Sequence, residues 1–250
     1  MISATPSGIS AVMMSLIWAK FSMNHKPLVF FCDVALSPPA IHDKTADADR
    51  LKDELKKTGL QNVTIPLHIL RRLPEELRRN EYRLRLVIGF RENDFILLDM
   101  GREKIYGLAL DIGSTNIECA LFDLGTGEKI DALATENPQM RFGSDVLTRV
   151  QRVMMGNSRD LTDELMQGLN GLIQDLCLKN SISPENILAV TVAGNTIMTH
   201  FFLGLDVRNI PVSPYIPAVS SGVFVSASEA ALRINENGII YVLPNSGSYV

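Results

Sequence analysis

Residues 106–111 (YGLALD) are a nearly continuous apolar run ending in an acid, and a turn of small residues follows at 112–116 (IGSTN). That order of residue types suits phosphate chemistry. Gly113 lets the backbone turn sharply and approach a phosphate with no Cβ in the way. Ser114, Thr115 and Asn116 add short polar side chains, and the N–H groups of such a turn can point at anionic oxygens. Asp111 at the strand tip can hold Mg2+, directly or through the waters this ion keeps. The same residues also fit a plain hairpin turn whose Asp only bonds the backbone. The pattern by itself leaves both readings open.

A second small-residue turn lies downstream. Residues 187–193 (ILAVTVA) read as a buried strand that runs into Gly194, Asn195 and Thr196, with an apolar helix ending near Gly204. A strand, a Gly-polar-polar turn and a helix aim a helix N-terminus at an anion. The bland alternative is a simple connection with Asn195 or Thr196 as the helix cap. His200 reads as a core or interface histidine.

The elements that must carry these turns follow from periodicity. Residues 106–111, 117–123 and 129–135 read as three successive strands, the first apolar throughout and therefore buried on both faces. An amphipathic helix is expected at 143–155, with Val146, Leu147, Val150, Val153 and Met154 on its apolar side. Asp145 in its first turn complements the helix dipole. A longer helix is expected at 160–179, a proline-punctuated loop at 210–217 and a last strand at 238–243.

Ahead of this region the charge pattern changes. Residues 45–105 hold thirteen Lys/Arg and eleven Asp/Glu, whereas residues 106–250 hold eight and fifteen. This shift places a boundary near residue 105. The upstream segment reads as a small α+β module: a helix at 47–57 closed by Gly59, a strand at 62–70, a short helix at 74–80 begun by Pro74, and a hairpin of 83–89 with 95–99. Seven arginines between 71 and 91 read either as a docking face for an acidic partner or as a solvated face with Arg stems lying over apolar surface. Residues 1–44 read as a leader and a proline-containing linker. Their apolar run at 9–18 is too short to span a bilayer, so no membrane partner is expected.

Composition excludes other classes. The chain has 250 residues, 46% hydrophobic and 21% charged, which suffices for a packed core. A net charge of −4, and basic segments without interleaved aromatics, argue against a nucleic-acid partner. Three distant cysteines, Cys32, Cys119 and Cys177, provide no ligand set for an iron–sulfur cluster or zinc ribbon. Sparse, odd cysteine usage suits the cytoplasm.

The strand–turn–strand–turn–strand opening with D-I-G-S-T at its first turn resembles the first phosphate hairpin of the actin, Hsp70, sugar-kinase and acetate-kinase superfamily. Taken with NPQMRFGSDV at 137–146 and AGNTIMTH at 193–200, the YGLALDIGSTN motif looks like the ATPase domain of the reductive activators of corrinoid proteins. The resemblance covers roughly residues 36–250, with 45–104 similar to that family's middle module. It implies an α/β fold: a small α+β module, then an actin-like (ribonuclease H-like) mixed-sheet domain at 105–250, of which this would be the first half.

The resemblance further implies ATP and Mg2+ as cofactors, and ATP-dependent reduction of a corrinoid protein from Co(II) to Co(I) in methyl-transfer metabolism. It implies contacts from Gly113, Ser114, Thr115, Asn116, Gly194, Asn195 and Thr196 to the nucleotide. Asp111 would serve as the metal and catalytic acid, and Asp145 would be a second acid at the cleft. An electron donor or ferredoxin domain would come from elsewhere, because this chain lacks cluster ligands. The chain is expected to be incomplete and inactive alone. A homodimer, a non-catalytic partner-binding fragment and a small-molecule kinase remain open alternatives.

Overall fold

A computed structural model describes residues 27–92, 94–156 and 158–245, leaving aside the side chains of 158 and 159. The apolar run expected at 9–18 lies outside the described residues. Two sheets organise the rest.

The first sheet has strand order β1-β3-β4-β2, from Val29–Ala35 (β1), Val63–Thr64 (β2), Arg83–Arg91 (β3) and Asp94–Met100 (β4). Two helices, Asp47–Lys57 (α1) and Leu67–Arg79 (α2), bury Leu51, Leu55, Ile69, Leu73 and Leu77 against Leu84, Leu86, Ile88 and Leu97 of the strands. Leu51 and Leu55 are one turn apart, which explains α1 as an amphipathic helix. Gly59 ends it at φ +87°, with Leu60 N–H donating to Leu55 O and Gly59 N–H to Lys56 O, the paired bonds of a Schellman cap.

Three expectations fail in this module. Residues 29–35, expected within a leader and linker, form β1 and pair with β3 over seven positions, because Val29, Phe30 and Val34 supply apolar surface that the sheet buries. The strand expected at 62–70 shrinks to β2. Its remainder joins 74–80 in one helix with Pro74 in the interior. Ile69, Leu73 and Leu77 recur every four residues and lie fully buried, and that stripe outweighs the roughly 3 kcal/mol that an interior proline costs a helix.

The second sheet has order β7-β6-β5-β8-β10-β9. Tyr106–Ile112 (β5), Asn116–Asp123 (β6) and Lys129–Glu136 (β7) form an antiparallel meander. Ile187–Gly194 (β8) runs parallel to β5, and Ile239–Val242 (β10) runs parallel to β8. This is the expected ribonuclease H-like arrangement. A short edge strand, Val223–Ser226 (β9), goes unmarked in the sequence. Helices Val146–Met154 (α3), Ser158–Lys179 (α4) and Thr196–Phe202 (α5) cover one face. There Leu161, Leu165, Leu169, Ile173 and Leu176 pack on Leu108, Leu110, Ile117, Val190 and Val192.

The two sheets meet through Leu28, Val29, Val87, Leu98, Ile105, Leu124, Leu188 and Ile239. Those from the second sheet lie where β5, β8 and β10 start and β6 ends. The first module therefore sits at the end of the second sheet opposite the two small-residue turns. A Cβ added to Gly89 would come within 2.4 Å of Ile239 Cδ1, so the junction is tight. Arg102 adds hydrogen bonds to Asn186 Oδ1 (2.7 Å) and Glu185 O (3.1 Å) across it. No described helix is long and apolar enough to cross a membrane.

Candidate functional site

β5 and β8 run parallel, so their C-terminal ends deliver both turns to one edge of the sheet. Ile112 stands beside Gly194 in the register. A Cβ on Gly194 would come within 3.0 Å of Ile112 O, and one on Gly113 within 2.6 Å of Asn116 O. Both obstacles are backbone atoms that cannot swing away, which is why glycine occupies both turns.

The turn at 113–115 is held from behind by its carbonyls. Asn137 Nδ2 donates to Gly113 O (2.7 Å), Arg149 Nη2 to Ser114 O (2.5 Å) and Asn137 N–H to Thr115 O (2.7 Å). In a trans peptide the N–H points opposite to the preceding carbonyl. With the carbonyls of 113 and 114 directed inward, the N–H groups of Ser114 and Thr115 face the other way. Two successive N–H groups on the side away from these bonds are the kind of donors that a turn can offer to an anion.

Asp111 precedes this turn, half-buried, directly opposite Glu118 across the β5–β6 pair. Burial, and secondarily the Glu118 charge, push its carboxyl above the usual range. Among the described residues the Asp111 carboxylate has no hydrogen bond or ion pair. A half-buried acid beside a second acid and without a cation is a group whose charge is compensated only when a cation arrives. No cluster of three or more ligating side chains occurs among the described residues. Mg2+ is typically held by one or two carboxylates and its own waters, and Asp111 is the carboxylate this hairpin could offer it.

The other expected residues have local duties. Asp145 caps α3: one oxygen accepts from Thr148 N–H (2.9 Å) and the other from Thr148 Oγ1 (2.8 Å), and these bonds hold its carboxyl below the usual range. Asn195 caps α5 by accepting from Met198 N–H (2.9 Å). Thr196 is buried, and its carbonyl accepts from Thr199 Oγ1 and from His200 Nδ1. Asn116 is exposed where β6 begins. Gly113, Ser114, Thr115 and Asp111 therefore gather on one hairpin, with Gly194 against it.

Two participants escape the sequence reading. Asn137, fully buried, caps the 3-10 turn Pro138–Phe142 while tying down the 113–115 turn. An Asn before a Pro is a local cap signal that could have found the first duty; the long-range contact has no local signal. Arg149 lies on the buried side of α3 with Val146, Val150 and Val153, whereas Leu147 and Met154 are 45% and 52% exposed. The expected apolar stripe is thus rotated, with an arginine inside it.

Other groups are structural. His200 donates from Nδ1 to Thr196 O (2.6 Å) and accepts at Nε2 from Ala218 N–H (3.1 Å), so it is neutral and anchors the proline-punctuated loop. Cys119 and Cys177 are buried free thiols, both pushed upward by burial. Of the seven arginines, Arg72, Arg78 and Arg85 pair with Asp99, Asp47 and Asp33, and Arg79 pairs with Glu75 and Glu76. Four of the seven thus have acidic partners within the module.

Known proteins share this arrangement. Residues 106–250 match the family described as the RACo middle region, and residues 19–104 match the RACo linker region. The small module likened to a middle domain is therefore that family's linker, and the mixed-sheet domain is its middle region. A curated relative, the corrinoid activation enzyme RamQ of Eubacterium limosum, is 28% identical over 203 residues, covering 79% of this chain and 34% of that protein. A solved reductive activator for corrinoid, iron-sulfur protein is 30% identical with a TM-score of 0.85, covering 90% of this chain and 37% of that one. The chain thus spans about a third of each relative's length. With family matches to both of its sheets, it belongs to the RACo family.

Proposed function

We propose that this chain supplies part of the nucleotide site of an ATP-dependent activator that returns a corrinoid protein from Co(II) to Co(I). The observation that carries the reading is the 113–115 turn, locked by Asn137 and Arg149 with two N–H groups outward and an uncompensated acid beside it. RamQ and the solved activator, both named for corrinoid activation, point the same way.

The side chains present fit Mg2+·ATP, whose cleavage supplies free energy when it is bound. The Ser114 and Thr115 N–H groups bind and orient phosphate oxygens, and the Ser114, Thr115 and Asn116 side chains add polar contacts. Asp111 holds Mg2+ or its waters, and Glu118 keeps the site anionic. Gly194 allows the Asn195–Thr196 turn to stand against the hairpin. Asp145 acts through α3, whose N-terminus it caps.

The electron for cobalt comes from a donor or ferredoxin domain beyond the described residues. The corrinoid protein is the partner, and the cytoplasm is the compartment the cysteine usage suits. Titration of the labelled chain with Mg2+·ATP tests the nucleotide reading. Amide resonances of Ser114, Thr115 and Gly194 should shift with Mg2+·ATP and not with adenosine. No response at 114 and 115 would reduce the turn to a plain hairpin.

A further inference from the structure

Arg149 is fully buried, and all its hydrogen bonds go to neutral acceptors. Nε donates to Gly143 O (3.0 Å), Nη2 to Ser114 O (2.5 Å), and Nη1 to Gln139 Oε1 (3.4 Å) and Met198 Sδ (3.7 Å). Among the described residues no carboxylate bonds to it. Burial works against its charged form, and the opposing pull comes from Asp145, whose two oxygens are already taken by Thr148. A guanidinium does not deprotonate in proteins, so a full positive charge sits inside the domain with no carboxylate hydrogen-bonded to it among the described residues. A buried charge is ordinarily paired, because desolvation is expensive. Mere stapling of the Ser114 carbonyl would need only a neutral donor of the kind Asn137 provides.

We infer that Arg149 is a positioning residue whose counter-ion is the phosphate bound at the 114–115 turn. This rests on the proposed nucleotide reading. The guanidinium lies one peptide unit behind the outward N–H of Thr115. Its bond to Ser114 O polarises that peptide and strengthens the N–H as a donor, as coupled hydrogen bonds do. Its charge is also shielded from salt by burial, so its attraction for an anion across the turn persists where a surface lysine's would fade. The inference commits to a polyanion: adenosine, without phosphate, should not sense the charge.

The test uses the 250-residue chain and three probes: tripolyphosphate, Mg2+·ATP and adenosine. In the unsubstituted chain the Arg149 Nε–H resonance should shift with the first two and not with adenosine. Arg149→Met, which keeps the stem and removes the charge, should weaken tripolyphosphate binding by about tenfold or more, with Arg149→Lys recovering part of the loss. Unchanged tripolyphosphate affinity in Arg149→Met would overturn the inference while leaving the phosphate turn standing. If Arg149→Met does not fold, the resonance decides: a static Arg149 Nε–H while Ser114 and Thr115 respond makes the residue a staple only. If Ser114 and Thr115 themselves ignore tripolyphosphate and Mg2+·ATP, the nucleotide reading fails and the inference with it.

Discussion

Asp111 and Glu118 stand directly opposite each other on neighbouring antiparallel strands, two acids on one side of a sheet at the entrance to the 113–115 turn. Like charges in such a pair destabilise a sheet, and Asp111 has no cation among the described residues to offset the cost. An arrangement unfavourable to the fold, at the tip of a buried strand, is what the proposed metal role of Asp111 would account for.

The first prediction follows from the sign of that cost. Asp111 titrates above its ordinary 3.8 in the folded chain. As pH rises past 3.8 the unfolded state releases the proton first, so stability falls until the folded carboxyl also ionises. At pH 7 Asp111→Asn should therefore raise Tm, and the gain should vanish as pH approaches 3.8. The same variant should lose the Mg2+-dependent part of its ATP affinity, read by calorimetry with and without Mg2+. A lower Tm at pH 7 would show that the Asp111 charge is compensated.

Gly113 provides the second. Its absent Cβ would lie 2.6 Å from Asn116 O, a contact relieved only by moving the hairpin backbone. Gly113→Ala should cost about 1–3 kcal/mol in urea unfolding, as overpacking does. It should also abolish the amide response to Mg2+·ATP. Gly194→Ala, facing Ile112 O at 3.0 Å, should show the same pattern more mildly.

Asn137 provides the third. It is buried, accepts from Gln139 N–H (2.9 Å) and donates to Gly113 O. Asn137→Ala should cost about 1–3 kcal/mol, since it strands a buried acceptor and donor. Asn137→Asp keeps the cap and sets a carboxylate against the Gly113 carbonyl. It should therefore weaken Mg2+·ATP binding even where it folds. Equal affinity in Asn137→Asp would show that the turn does not depend on this bond.

The fourth concerns pH near neutrality. Burial holds the His200 imidazole below its ordinary 6.5 against the opposing pull of the Thr196 carbonyl. Its neutral Nε2 is what accepts from Ala218 N–H. Because the folded value is depressed, the stability present above about 6.5 should decline as pH falls below it and level off under the folded value. Urea titrations at pH 7.5 and 5.5 should show the decline, and His200→Gln should flatten it. An equal slope in His200→Gln would assign the decline to other groups.

Much of this protein is legible from residue order alone. The apolar run at 106–111 reads as a strand buried on both faces, and the small-residue and glycine turns after it mark off the meander now seen as β5, β6 and β7. The D-I-G-S-T turn named the hairpin bearing Asp111 and Gly113, because glycine and an acid at a strand tip are local requirements. Leu51 and Leu55 marked α1 for the same reason: an i, i+4 repeat needs no partner to be read. Long-range matters were settled only in the folded chain. Whether 29–35 is linker or strand depends on β3, a strand distant in the sequence, offering an edge to pair with. Pro74 reads locally as a helix start, and the buried stripe of Ile69, Leu73 and Leu77 makes it an interior residue. Arg149 and Ser114 are 35 positions apart. A charge within an apolar stripe has no local cause, and its reason appears only when the meander and α3 pack together and set the guanidinium behind the turn.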